Sequence, residues 1–122
     1  MPAFVILEHR WNGVHWDFML EAGEALRTWA IDSPIVAGSD LPARALPDHR
    51  LAYLDYEGEI SEGRGTVQRL DRGTYEVLAW SPDQVLVRIF GSVLQGELVQ
   101  LHRSQGEEEP NFDWRFRLGT LD

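Results

Sequence analysis

The chain has 122 residues, 43% hydrophobic and 25% charged, and a formal net charge of −9. It has no cysteine and no lysine, so all 11 basic residues are arginines. This excludes disulfide scaffolds, thiolate metal sites, cysteine nucleophiles, Schiff bases and lysyl-adenylates. An acidic domain has no general attraction for a nucleic-acid backbone, so any such contact would be local, through a metal and a few arginines.

The length predicts a single domain over residues 1–122, and a chain of this size buries roughly two-thirds of its unfolded surface. The run Ala3-Phe4-Val5-Ile6-Leu7 is too short for a signal-peptide core, and no transmembrane run exists. A cytoplasmic location and no membrane partner are therefore expected.

In chain order, strands are expected over 3–10 and 14–20, joined at Asn12-Gly13. Val14, Trp16, Phe18 and Leu20 form one apolar face, and His15 and Asp17 share the other, because side chains alternate along a strand. A two-residue Asn12-Gly13 turn would set His9 opposite Trp16. A three-residue Trp11-Asn12-Gly13 loop with a bulge pairs His9 with His15. A one-residue slip reverses the faces, and the three-residue loop leaves the coherent polar face. In that register His9, His15 and Asp17 converge as three metal ligands. A surface hairpin with two solvated histidines is the plain alternative.

A strand over 25–31 follows, with Leu26, Thr28 and Ala30 alternating against Arg27 and Trp29. Residues 32–47 hold three prolines and read as a loop with one short helical turn at 41–46. A short strand is expected at 51–56, then a glycine- and glutamate-rich turn region at 58–65. Strands at 66–70, 74–80 and 84–90 form a meander with turns at Asp71-Arg72-Gly73 and Ser81-Pro82-Asp83. Two more strands, 93–102 and 112–118, flank an acidic loop at 104–111 holding Glu107, Glu108 and Glu109. The whole predicts an all-β protein: an antiparallel, closed or nearly closed β-barrel of about seven to nine short strands, with at most one helical turn. Trp16, Trp29, Trp80 and Phe90 are expected in the core, and His102 at the surface.

On a strand, His49 and Tyr53 would share a face and could act together as donors to an anionic group; a strand-edge histidine with a half-buried tyrosine is the plain alternative, and these residues alone favour it. Taken together, these segments resemble the 3′-phosphoesterase domain family of bacterial DNA ligase D and its stand-alone homologues. The family hallmark is a histidine, five residues, then His-aromatic-Asp-Phe-x-Leu-Glu. Here that is His9, then His15-Trp16-Asp17-Phe18-Met19-Leu20-Glu21. Asp48-His49 with Tyr53, and Tyr56-Glu57-Gly58-Glu59-Ile60, resemble the second motif. Asp71-Arg72-Gly73-Thr74-Tyr75-Glu76 resembles a third. Gly91, Leu94, Gly96 and Leu98 follow the family's C-terminal glycine pattern.

The resemblance implies a metal-dependent phosphoesterase for DNA end repair. His9, His15 and Asp17 would hold a divalent transition metal, manganese first, with zinc or cobalt as substitutes. His49 would contact the scissile phosphate and Tyr53 would support it. Nucleic-acid 3′ ends, in DNA or DNA with a terminal ribonucleotide, would be the substrate. A DNA ligase or end-joining factor would be the partner. The chain also departs from the family. Met19 stands where the family has an arginine, and Leu7 where it has a glutamine. Ile31-Asp32-Ser33-Pro34 replaces a Val-Pro-Lys-Gly-like stretch, and the glycine loop is shortened to 61–65. The family's charged N-terminal arm is expected to be missing. Weak activity is therefore expected, with Arg64, Arg50 and Arg27 as the substrate-binding residues that would compensate. Two rivals remain. One is a non-catalytic metal-containing module binding nucleic-acid ends or phosphorylated partners. The other is a non-haem iron oxygenase using His15-x-Asp17 with a distal histidine such as His49.

Overall fold

The computed structural model describes residues 1–104 and 112–119. Its first strand sets the architecture. In β1 (Ala3–Arg10), Phe4, Val5, Ile6 and Leu7 are all buried, so both faces of the strand are covered. A continuous apolar run is what such a strand requires. β2 (Val14–Ala22), β3 (Ala25–Ile31), β4 (Asp40–Arg50), β5 (Gly58–Glu59), β6 (Thr66–Ser81), β7 (Gln84–Gly91), β8 (Gln95–Arg103) and β9 (Trp114–Gly119) follow. All pairings are antiparallel, in the order β1-β2-β3-β4-β9-β8-β7-β6-β5, and β1 also pairs with β6. The result is a closed eight-stranded barrel with β5 as an extra strand on β6. Closure leaves β1 no free edge. Among the described residues no helix is long and apolar enough to cross a membrane.

Two apolar clusters sit on opposite faces of the wall. The larger fills the barrel and holds Phe4, Ile6, Phe18, Leu20, Trp29, Ile89, Trp114 and Phe116 among others. The smaller lies outside the wall and joins Val5, Leu7, Met19, Leu26, Leu54 and Val67. Segment 51–65 roofs this outer cluster, with Leu51, Tyr53 and Ile60 packed against it. The candidate site lies between this roof and the wall.

Several expectations are corrected. The helical turn at 41–46 and the second part of the expected loop, 40–47, are replaced by β4, while 32–39 carries no strand. Pro47 is tolerated because the β3–β4 register shifts between Leu26 and Thr28, leaving the proline in a bulge with no ladder bond to donate. The strand at 51–56 is a 3-10 turn, Leu51–Leu54, that docks Leu54 on the outer cluster. Trp80 and Phe90 are 37% and 40% exposed rather than in the core. Beyond Thr74, β6 has run past the end of β1, so the wall opens there, and Phe90 points outward. Trp16 and Trp29 are buried as expected. Val14, at the hairpin tip, is 36% exposed. His102 is half-buried on β8, not at the surface. Residues 105–111, which carry the expected acidic loop, lie outside the described residues.

The Asp71-Arg72-Gly73 turn is also not formed; β6 runs straight through it. The Asp71 carboxylate instead holds the β7–β8 turn. It accepts backbone hydrogen bonds from Ser92 (2.8 Å), Val93 (3.1 Å) and Leu94 (2.9 Å), while a Cβ on Gly91 would overlap it. Asp71 is 5% exposed, so its carboxylate has no water to fall back on. Asp71→Asn keeps the volume but turns one acceptor into a donor facing a donor. It is expected to cost about 2–4 kcal/mol in urea unfolding, with an unchanged m-value.

Elsewhere the wall is tied by ordinary means. Arg115 donates from Nε to Asp40 Oδ1 at 2.6 Å, linking β9 to β4, and holds that carboxyl below its usual range. Burial, with Glu21 nearby, pushes the Tyr75 phenol up, and its hydroxyl donates to the Glu21 carbonyl at 2.6 Å.

Candidate metal centre

The β1–β2 hairpin places the first three residues. Asn12 (φ 54°) and Gly13 (φ 114°) adopt left-handed conformations, Trp11 N–H bonds to the Gly13 carbonyl, and Arg10 pairs with Val14. This is the three-residue loop, and His9 pairs directly with His15 and Leu7 with Asp17. His9, His15 and Asp17 therefore point to the outer face, beside Leu7 and Met19. One ligand-type atom from each lies within 4.8 Å of the others.

The hydrogen bonds fix how these groups point. His9 Nε2 lies 2.8 Å from the Arg64 carbonyl oxygen. A carbonyl only accepts, so Nε2 carries the hydrogen and Nδ1 presents its lone pair inward. That Nδ1 lies 3.2 Å from His15 Nε2, which in turn lies 3.2 Å from Asp17 Oδ1. The second approach is out of line for a hydrogen bond, and Asp17 Oδ1 is a buried oxygen with no hydrogen-bond partner. Asp17 is 2% exposed. A buried carboxylate oxygen left unpaired is costly. One hydrogen on His15 cannot serve both a lone pair and a carboxylate; a cation among the three can serve all of them. Two imidazoles and a carboxylate suit a divalent transition ion and leave positions open for an oxygen ligand. The Arg64 carbonyl would be the outer partner that fixes the His9 tautomer. Gly65 makes this possible: its φ is +84°, and a Cβ there would strike the Arg10 carbonyl.

The cluster lines a cavity of about 270 Å³ together with Leu7, Trp11, Met19, Arg44, His49, Tyr53 and Arg64. His49 comes from the end of β4, and Tyr53 from the 3-10 turn, with ring centroids 5.7 Å apart. His49 Nδ1 donates to the Pro47 carbonyl at 2.9 Å, which leaves Nε2 free. A larger concavity of about 880 Å³ shares Tyr53 and Ile60 and takes in Arg50 and Tyr56, but it holds no ligand cluster.

The three arginines named from sequence fare differently. Arg64 lines the cavity, yet its guanidinium is turned to Ser61, at 3.0 Å from the carbonyl and 3.2 Å from Oγ. Arg50 is exposed and belongs to the neighbouring concavity. Arg27 is on the wrong face: it pairs with Leu20 and stacks on Trp29 (4.8 Å) and Trp114 (5.8 Å) inside the barrel. The distal partner of His15 and Asp17 is His9, not His49. Arg44 was missed, because 41–46 was not read as a strand. Period-two alternation from β3 would have placed it on the site face. Trp11, 46% exposed and stacked on His9 at 6.2 Å, was missed too.

A family model described as the DNA Ligase D 3′-phosphoesterase domain matches residues 7–103. The chain belongs to this family. It is 32% identical over 114 residues to the multifunctional non-homologous end joining DNA repair protein LigD of Mycobacterium tuberculosis, covering 86% of this chain and 15% of that protein. It is also 32% identical over 84 residues to the multifunctional non-homologous end joining protein LigD of Pseudomonas aeruginosa, covering 65% of this chain and 9% of that protein. The chain thus spans a small fraction of the relatives it matches. The 3′-phosphoesterase match takes in the whole cavity, since His9, Arg44, His49, Tyr53 and Arg64 all fall inside it. The two departures at Leu7 and Met19 are 0% and 1% exposed within the outer apolar cluster. An arginine at Met19 would now have to bury its charge there, so simple substitution cannot restore it without cost.

Proposed function

We propose that this chain is a divalent-metal-dependent phosphoesterase acting on 3′ ends of nucleic acid in DNA end processing, with weak turnover. The observation that carries the reading is the convergence of His9, His15 and Asp17, with an unpaired buried carboxylate oxygen, in the cavity that also holds His49 and Tyr53. A divalent ion held there, manganese first, would polarise a phosphate oxygen as a Lewis acid. The chain's own groups do the rest. His49, its Nδ1 hydrogen fixed by Pro47, can carry a second hydrogen on Nε2 and give it to the departing O3′ as water bonds to phosphorus. Tyr53 holds the imidazole edge-on. Weakness follows from the apolar wall: Leu7 and Met19 offer no hydrogen to a phosphate oxygen.

The relatives' printed names support a place in end joining. The proposal adds a DNA ligase or end-joining factor as partner and DNA, or DNA with a terminal ribonucleotide, as substrate. The burial of Leu7 and Met19 also favours a second reading, a metal-containing module that binds ends without cleaving them. Release of phosphate from a 3′-phosphorylated oligodeoxynucleotide separates the two. The expected result is slow release with manganese, lost after chelation and regained on adding metal back. Protein that holds metal yet is inactive with manganese, cobalt and zinc would reject the enzyme and leave the binding module.

A further inference from the structure

We propose that Arg44 is the anion clamp of this cavity, its guanidinium binding the non-bridging oxygens of the terminal phosphate across from His9, His15 and Asp17. The inference rests on the phosphoesterase reading and names how its substrate is held. Asp17 pairs with Ala30, and Ala30 pairs with Arg44. Directly paired residues share a face, so Arg44 stands on the site face two strands from Asp17. Strands lie about 4.8 Å apart, so the two backbones are separated by roughly 10 Å with only the Ala30 methyl between them. That gap admits an anion between a long cationic side chain and the ligand cluster. The bulge in β4 adds His49 to the same wall.

The state of the guanidinium is the second observation. Arg10, Arg69, Arg72, Arg103, Arg115 and Arg117 all meet carboxylates. Arg64 is engaged by Ser61, and Arg88 reaches the Gly96 carbonyl. Arg44 is half-buried, yet among the described residues its guanidinium has neither a carboxylate nor a hydrogen-bond acceptor. The Phe112 ring lies 5.6 Å from its Cζ. A ring on one face of the guanidinium leaves the in-plane N–H groups free, and those groups match two oxygens of a phosphate. In a chain of net charge −9 with 20 acidic residues, a half-buried arginine without a carboxylate among the described residues is poised for an anion from outside. Arg50 and Arg27 do not compete: one is on the neighbouring concavity and the other faces the barrel interior.

The test titrates inorganic phosphate into manganese-loaded protein freed of excess metal, reading binding by phosphorus NMR relaxation, with metal content and melting midpoint measured on every variant. Arg44→Ala is expected to weaken phosphate binding about tenfold or more while holding as much manganese as wild type. Arg44→Lys should recover only part, because an ammonium is a point charge without the planar fork. Should Arg44→Ala fail to fold, Arg44→Gln carries the same expectation with the stem retained. Wild-type binding of phosphate that is unchanged in Arg44→Ala, or in Arg44→Gln, overturns the clamp and spares the phosphoesterase reading. Wild type that holds no manganese, or holds it and ignores phosphate, overturns both.

Discussion

His15→Ala is expected to abolish stoichiometric metal binding, with the largest effect of any single change at the site. His15 Nε2 is the middle atom of the set, 3.2 Å from His9 Nδ1 and 3.2 Å from Asp17 Oδ1. Its loss removes a ligand and leaves the other two without the group between them. The affinity loss should exceed the roughly 10–100-fold typical of outer-shell partners. Metal analysis of purified protein reads this directly, and thermal unfolding reads it independently. A ligand at 100 times its dissociation constant stabilises the folded state by about 2.7 kcal/mol. For a chain of this size that is on the order of 10 °C in the melting midpoint. Chelation should therefore lower the wild-type midpoint and leave His15→Ala unmoved. Asp17→Asn, which keeps the shape and removes the charge, should behave likewise. Binding should also weaken toward acid, because protons compete for the imidazole nitrogens. If His15→Ala and Asp17→Asn hold metal as wild type does, the centre is misassigned.

His49→Ala is expected to lower turnover by about a hundred- to ten-thousand-fold while leaving the metal in place. The imidazole lines the cavity but is not one of the converging ligand residues, and its Nδ1 is already committed to the Pro47 carbonyl. Its removal should therefore fall on kcat and not on metal content. Tyr53→Phe, which keeps the ring against His49 and loses only the hydroxyl, should cost less. Loss of metal in His49→Ala would place that residue in the ligand set and reject the division of roles. Full activity in His49→Ala would remove it from the chemistry.

Much of this site is local in sequence. Five residues separate His9 from His15, and one residue separates His15 from Asp17. A hairpin with a left-handed Asn12-Gly13 pair is enough to bring all three to one face, because strand alternation and turn geometry are short-range rules. That is why the register and the convergence were legible before any tertiary structure. His49 and Tyr53 were also grouped together, but for the wrong local reason. They meet through a strand end and a 3-10 turn rather than along one strand.

What stayed hidden depended on partners far away in the chain. Three prolines made 32–47 look like a loop. Only pairing with β3 and β9 makes its second part a strand, and only the bulge opposite Arg27 absorbs Pro47. Arg44 and Arg27 are both arginines near apolar neighbours, and composition cannot separate them. The β2–β3–β4 ladder can: it turns Arg44 toward Asp17 and Arg27 toward Trp29. Asp71-Arg72-Gly73 has turn residues, yet the Asp71 carboxylate serves a turn 21 to 23 residues on, at Ser92 to Leu94. Exposure of Trp80 likewise follows from where β1 ends, which no window around Trp80 contains. The sequence by itself determined the strand-rich class, the hairpin register and the grouping of His9, His15 and Asp17 on one face, since these follow from alternation and turn chemistry over a few residues. Barrel closure, the outer apolar cluster under the site and the choice of Arg44 over Arg27 were decided only by the tertiary structure, because each depends on which distant strand lies alongside.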